Sequence, residues 1–233
     1  MTPSSPASVP PSIAERVAEV RARIAAACRA AGRDPASVVL TAVSKTQTPE
    51  AIDAILAMGQ RVYGENRVQE AQGRWIPRRP ELVEELELRL IGPLQTNKAV
   101  EAVDLFDVIE TLDRERLART LAEAAMKRGR SPRLLVQVNT GAEPQKAGVL
   151  PDQADALIRA ARDAYDLTVE GLMCIPPADQ DPTPHFVLLR DLAERHGLSV
   201  LSMGMSGDYE TAIRCGATHV RVGTALFGER NRP

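Results

Sequence analysis

Lysine is scarce in this chain: Lys45, Lys98, Lys127 and Lys146 are its only four, against 29 lysines and arginines together. Aromatic residues are scarcer still, at 3% of 233 positions. The cysteines are only Cys28, Cys174 and Cys215, far apart and in no C-x-x-C pair. That excludes a disulfide framework and a cysteine-based zinc site, and it fits reduced thiols in a cytoplasm. His185, His196 and His219 have no metal-ligand spacing, so no metal site is expected. The opening "MTPSSPASVPPS" has neither a basic n-region nor an apolar h-region and does not read as a signal peptide. No apolar run approaches the length of a membrane span. A net charge of -2 offers no large basic surface for nucleic acid or an acidic membrane.

What is present is a regular alternation. After a Pro/Ser-rich tail over residues 1–11, expected to be disordered, Ser12-Ile13-Ala14-Glu15 reads as a capping box. Behind it Ile13, Val17, Val20, Ile24 and Ala27 recur at helical spacing, and Gly32 closes the helix. From there eight strand-like segments follow: 38–45, 61–66, 86–94, 106–112, 133–140, 167–175, 198–206 and 219–227. Helical patterns separate them, among them one opened by Thr48-Pro49 and others at "DRERLARTLAEAAMKRG", "PDQADALIRAARDA", "HFVLLRDLAERHG" and "DYETAIRCG". The stretch from Gly73 to Pro80 reads as a surface turn. Eight β units alternating with helices predict an α/β fold: a single (β/α)8 TIM barrel over residues 12–233 with an extra N-terminal helix. The rival is an open doubly wound sheet, and no G-x-G-x-x-G follows the first strand to support it.

In a barrel the C-terminal strand ends carry the chemistry. Reading them off gives Lys45, Asn66, Leu94-Gln95, Glu110-Thr111, Asn139, Met173-Cys174, Gly204-Met205-Ser206 and Gly223-Thr224. Lys45 stands at the expected last position of an apolar strand, on one face with Val39, Thr41 and Val43. If that face lines the barrel, desolvation makes the amine nucleophilic towards carbonyls; otherwise the side chain simply snorkels into water. Arg221 alternates with Val220 and Val222 and points inward, where a guanidinium needs a partner. That partner is either a ligand or an internal carboxylate, Glu110 or Glu170. Ser206-Gly207-Asp208 and Gly223-Thr224 both stand at helix starts that favour an anion, in the loops where this fold usually holds phosphate. Ser206 or Asp208 could equally serve as a helix cap. Together these residues describe a pyridoxal phosphate pocket, in which lysine forms the Schiff base and arginine meets the pyridine nitrogen. His185 and His196 read as helix-surface residues, His219 as a strand start, and Cys174 as a packing residue near the pocket.

The chain resembles the pyridoxal 5'-phosphate homeostasis proteins, single-domain relatives of the alanine racemase N-terminal barrel. The resemblance rests on "AVSKT", "YGENRVQEA", "LIGPLQTNK", "VNTGAEPQKAG", "GLMCIP", "LSMGMSGDYE" and "VRVGTALFG", in that order. It implies that Lys45 carries pyridoxal 5'-phosphate, that Ser206, Gly223 and Thr224 hold its phosphate beside Met205, that Arg221 faces the pyridine nitrogen and that Asn66 lies near the cofactor. Tyr63, Arg89, Pro93 and Gly207 depart from the family's usual phenylalanine, histidines and acidic residue.

Two functions follow from such a pocket. One is a cofactor carrier that sequesters pyridoxal phosphate and supplies apo-enzymes, acting indirectly on amino- and keto-acid metabolism. The other is a pyridoxal phosphate enzyme such as a weak amino-acid racemase, with a Schiff-base aldolase as a more distant reading that gives Arg221 no role. A racemase needs an acid/base group on each face of the α-carbon. Lys45 supplies one, and none of Tyr63, Tyr165 and Tyr209 is an obvious second. An arginine at the pyridine nitrogen is a donor, which makes the ring a poorer electron sink than a carboxylate would. Without the racemases' second domain, a monomer is expected.

Overall fold

The computed structural model describes residues 11–82 and 85–228, so all but Pro11 of the expected tail lies outside them. Eight parallel strands close into a barrel in sequence order: β1 (Val39–Val43), β2 (Val62–Glu65), β3 (Glu87–Leu90), β4 (Val108–Leu112), β5 (Arg133–Val138), β6 (Val169–Cys174), β7 (Val200–Ser202) and β8 (His219–Val222). Closure is between β1 and β8, with Val39 opposite His219 and Thr41 opposite Arg221. Nine α-helices are described: α1 (Ile13–Ala30), α2 (Pro49–Ala57), α3 (Val68–Trp75), α4 (Ala99–Leu105), α5 (Glu115–Arg128), α6 (Pro151–Arg159), α7 (Thr183–Arg195), α8 (Tyr209–Arg214) and α9 (Thr224–Phe227). One helix follows each strand, as a right-handed parallel crossover requires.

The start signals act where the sequence puts them. Ser12 and Glu15 make the reciprocal capping box of α1, and Thr48 caps α2 with Pro49 in its first turn. The helix after β8, α9, is only four residues long. α1 takes its place outside the β1–β8 seam, packing on α2, α8 and α9. Val17, Val20, Ile24 and Ala27 are its buried stripe, and Arg16 Nε anchors it by donating to the Leu226 carbonyl at 2.9 Å.

The strands are shorter than the apolar runs. β1 ends at Val43, so Lys45 lies two residues beyond the strand, in a turn. The ladder closes with the Ser44 N–H on the Gly64 carbonyl, and Thr46 then takes a left-handed φ of 61°. The expected eighth strand over 219–227 is a four-residue strand followed by α9. The seventh strand stops at Ser202 because Gly204, at φ 92°, turns the chain against α8. α3 and α4 were hidden: α3 fills part of the stretch read as a turn, since arginines and a lone glycine mask its buried Val68, Ala71 and Trp75.

His219 sits at the base of the barrel, half-buried beside Thr218. Burial, and then the charge of Arg89, pushes its imidazole down to about 4. A group depressed in the folded state adds stability above its unfolded pKa and loses it as pH falls towards the folded one. Chemical denaturation at a series of pH values should therefore show stability dropping between about pH 6.5 and pH 4, by at most about 3 kcal/mol from this residue. His219→Gln should flatten that part of the profile; an unchanged slope in the variant would assign the loss to other groups.

Candidate functional site

The C-terminal strand ends open on a cavity of about 370 Å3. Its wall contains the seven residues that the family resemblance implies for the cofactor: Lys45, Asn66, Met205, Ser206, Arg221, Gly223 and Thr224. Val43, Ile91, Gly92, Pro93, Ile175 and Gly207 complete it. A larger, more polar cavity of about 530 Å3 shares Asn66 and Pro93 with it, but holds neither Lys45 nor Arg221. Chemistry, not volume, therefore locates the site.

Each functional side chain is placed by a strand or by the turn that follows it. Lys45 is half-buried in the turn after β1. The preceding Ser44 is tied down from below: its hydroxyl donates to Glu65 Oε1 at 2.6 Å. Glu65 is fully buried and also accepts from Trp75 Nε1 at 2.8 Å and Arg74 Nη1 at 2.7 Å. The β1 and β2 ends and α3 thus share one carboxylate, and the lysine turn rests on it.

Arg221 is inward and 3% exposed. It pairs directly with neither carboxylate considered for it. Glu170 faces Arg133 at 3.6 Å, and Glu110 meets Arg221 only through Ser202. Arg221 Nη1 donates to Ser202 Oγ at 2.8 Å, and Nη2 donates to the Cys174 carbonyl at 2.8 Å. The rest of its N–H fork is left for the cavity. Burial by itself would raise the Glu110 carboxyl, but Arg89, then Arg221 and the Ser202 hydroxyl, hold it below the usual carboxylate value.

The two loops facing Lys45 are stitched together. Asp208 does not cap α8 with its side chain; it folds back to accept the Met205 N–H at 2.6 Å. Ser206 Oγ accepts from the Ala225 N–H at 3.4 Å, joining the loop after β7 to the first turn of α9. Among the described residues, none accepts the N–H groups of Ser206, Gly207 or Thr224. A ring of N–H donors and a serine hydroxyl across a cavity from an amine suits a phosphate-bearing aldehyde.

The family model for the alanine racemase N-terminal domain matches residues 16–231. The chain belongs to the alanine racemase N-terminal domain family. Within that family it is similar to the pyridoxal phosphate homeostasis protein of Pseudomonas aeruginosa, 42% identical over 225 residues that cover 94% of this chain and 96% of the relative. It is 38% identical to the protein of the same description from Escherichia coli, over 94% of this chain and 97% of that one. Among solved structures, PipY of Synechococcus elongatus with PLP bound superposes with a TM-score of 0.76 at 37% identity, covering 93% of this chain and all of PipY. A Clostridium difficile alanine racemase shares the fold, with a TM-score of 0.70 at 14% identity, and this chain covers 57% of its length.

Other strand-end residues do different work. Asn139 pins its own loop, donating to the Glu143 carbonyl at 2.8 Å and accepting from the Glu143 N–H. Thr111 Oγ1 donates to the Gly92 carbonyl at 3.0 Å, which fixes the cavity wall from behind. The Cys174 thiol is fully buried and pushed up to about 12 by that burial, so it is a packing group; its carbonyl is what serves the site. Tyr63 packs on Trp75 outside the barrel, Tyr165 donates to Glu115 on an exposed face, and Tyr209 is buried near Arg23. No group of three metal-ligating side chains occurs among the described residues. Sequence reasoning missed the Glu65 knot. Its only signal was an acid, in "YGEN", where an apolar strand should continue.

Proposed function

We propose that this chain binds pyridoxal 5'-phosphate through Lys45 and serves intracellular homeostasis of that cofactor, holding it and supplying it to apo-enzymes. One observation carries the proposal: a single cavity brings an amine, an inward guanidinium and a two-loop anion cradle into one wall. When bound, the cofactor supplies an aldehyde that condenses with a lysine amine, releasing water.

The chain's residues divide the remaining work. Lys45 offers the amine from a turn held by Ser44 and Glu65. Ser206, Gly223 and Thr224, with the backbone of Met205 to Gly207, receive the phosphate. Arg221 would donate towards the pyridine nitrogen, and Asn66 lines the same cavity. A guanidinium only donates, so at that position Arg221 would leave a pyridine nitrogen unprotonated and the ring would be a weak electron sink. Lys45 is also the one side-chain base among the described lining residues, so protons have no second supplier on the opposite face. That favours holding the cofactor over racemising amino acids on it. The full-length match to relatives described as pyridoxal phosphate homeostasis proteins supports the carrier reading; a monomer in the cytoplasm belongs to the same proposal. No helix of the described residues is long and apolar enough to cross a membrane.

Titration of the purified protein with pyridoxal phosphate, followed by borohydride reduction and peptide mass mapping, tests this reading. Wild type should gain a visible absorption band and carry the reduced cofactor on the Lys45 peptide. Lys45→Ala should lose both. Reduced cofactor spread over surface lysines, or equal labelling of the variant, would refute the site.

A further inference from the structure

The barrel interior carries more charge than a packed core needs. Arg89, Glu110, Ser202 and Arg221 come from β3, β4, β7 and β8, and none is more than 3% exposed. They form one line. Arg89 Nε donates to Glu110 Oε1 at 2.5 Å; Glu110 Oε2 accepts from Ser202 Oγ at 2.5 Å; Ser202 Oγ accepts from Arg221 Nη1 at 2.8 Å. At the base, Arg89 Nη1 also donates to Glu87, which in turn takes Arg133.

Elementary hydrogen-bond chemistry sets the polarity of this line. A guanidinium has no acceptor and an ionised carboxylate has no donor. The single proton of Ser202 therefore points at Glu110, and its lone pairs face Arg221. With Nη2 held by the Cys174 carbonyl, two fixed acceptors determine the plane of the Arg221 guanidinium. The arrangement also divides charge. Arg89 lies in direct contact with Glu110, whereas Arg221 reaches that carboxylate only across a hydroxyl. A direct bidentate ion pair would turn the fork away from the cavity and spend its charge on the protein.

We infer that Glu110 and Ser202 are positioning residues: they aim the Arg221 guanidinium into the cofactor cavity while keeping it out of a direct ion pair, and Arg89 holds Glu110 in place for that purpose. The inference rests on the cofactor reading above, in which Arg221 serves the pyridine nitrogen. Ser202→Ala removes only the bridging oxygen and leaves all three charged partners, Arg89, Glu110 and Arg221, in place. Ser202→Thr restores a hydroxyl.

Ser202→Ala should still be labelled at Lys45 by borohydride, but with an altered absorption spectrum, a shifted pH profile of that spectrum and about tenfold weaker cofactor binding. Ser202→Thr should return towards wild type in all three. In crystals without cofactor, Arg221 should keep one conformer in wild type and leave it in Ser202→Ala. A Ser202→Ala protein with wild-type spectrum and an unmoved Arg221 would overturn the inference, as would a threonine variant no closer to wild type than alanine. If wild type itself takes no cofactor, the cofactor reading fails, and the cofactor-free crystals still decide whether Ser202 orients Arg221.

Discussion

Glu65→Ala is expected to lower stability by about 3–5 kcal/mol, the usual loss when one partner of a buried ion pair is removed. The carboxylate is fully buried and carries three donors from three segments: Ser44, Trp75 and Arg74. Truncation leaves the indole N–H and the serine hydroxyl without an acceptor, and strands Arg74, whose side chain is only 14% exposed. For a chain of this size the midpoint of thermal unfolding should fall by roughly 10 °C, read by circular dichroism. Cofactor affinity should fall as well, because Ser44 is the residue before Lys45. Glu65→Gln keeps an acceptor for one donor while presenting an amide to the others, and should lie between. A melting point within about 2 °C of wild type for Glu65→Ala would show that the knot is not a support of the lysine turn.

Gly92→Ala should act on the site more than on the fold. A Cβ at position 92 would stand 2.2 Å from the Asn66 carbonyl oxygen and 2.7 Å from its Cα, both backbone atoms. Neither is the yielding tip of a side chain, so the β2 and β3 ends must separate. Overpacking of this kind costs about 1–3 kcal/mol. The displaced residues, Asn66, Ile91 and Pro93, are three of the cavity's walls. Pyridoxal phosphate should bind at least about tenfold more weakly, with only a modest change in melting temperature. Isothermal titration on a variant whose circular dichroism matches wild type separates the two effects. Undiminished affinity would mean that the strand ends open without cost to the pocket.

The alternation of apolar runs with amphipathic segments was enough to predict the barrel, because all eight strands and most of the helices are marked by their own local pattern. Lys45 and Arg221 were legible for the same reason: a cation inside an apolar alternation is anomalous within a few residues of sequence. The glycine and serine turns could be read from the fold's habit of placing anion sites after its last strands. Several strand ends and the helices α3, α4 and α9 were not legible. β1 stops at Val43 and α9 begins at Thr224 because of hydrogen bonds to neighbouring strands and loops, not because the apolar run ends.

Only the tertiary structure decided who partners whom. The sequence left Glu110 and Glu170 equally open as partners for Arg221, and the barrel chose a hydroxyl, Ser202, that stands 92 residues from Glu110 along the chain. It likewise brought Glu65 to Ser44, the residue before Lys45, and sent the three tyrosines outside the cavity. Residue type and period tell which face a side chain takes. Closure of the barrel tells what it meets there, because inward residues of different strands touch only after β8 has paired with β1.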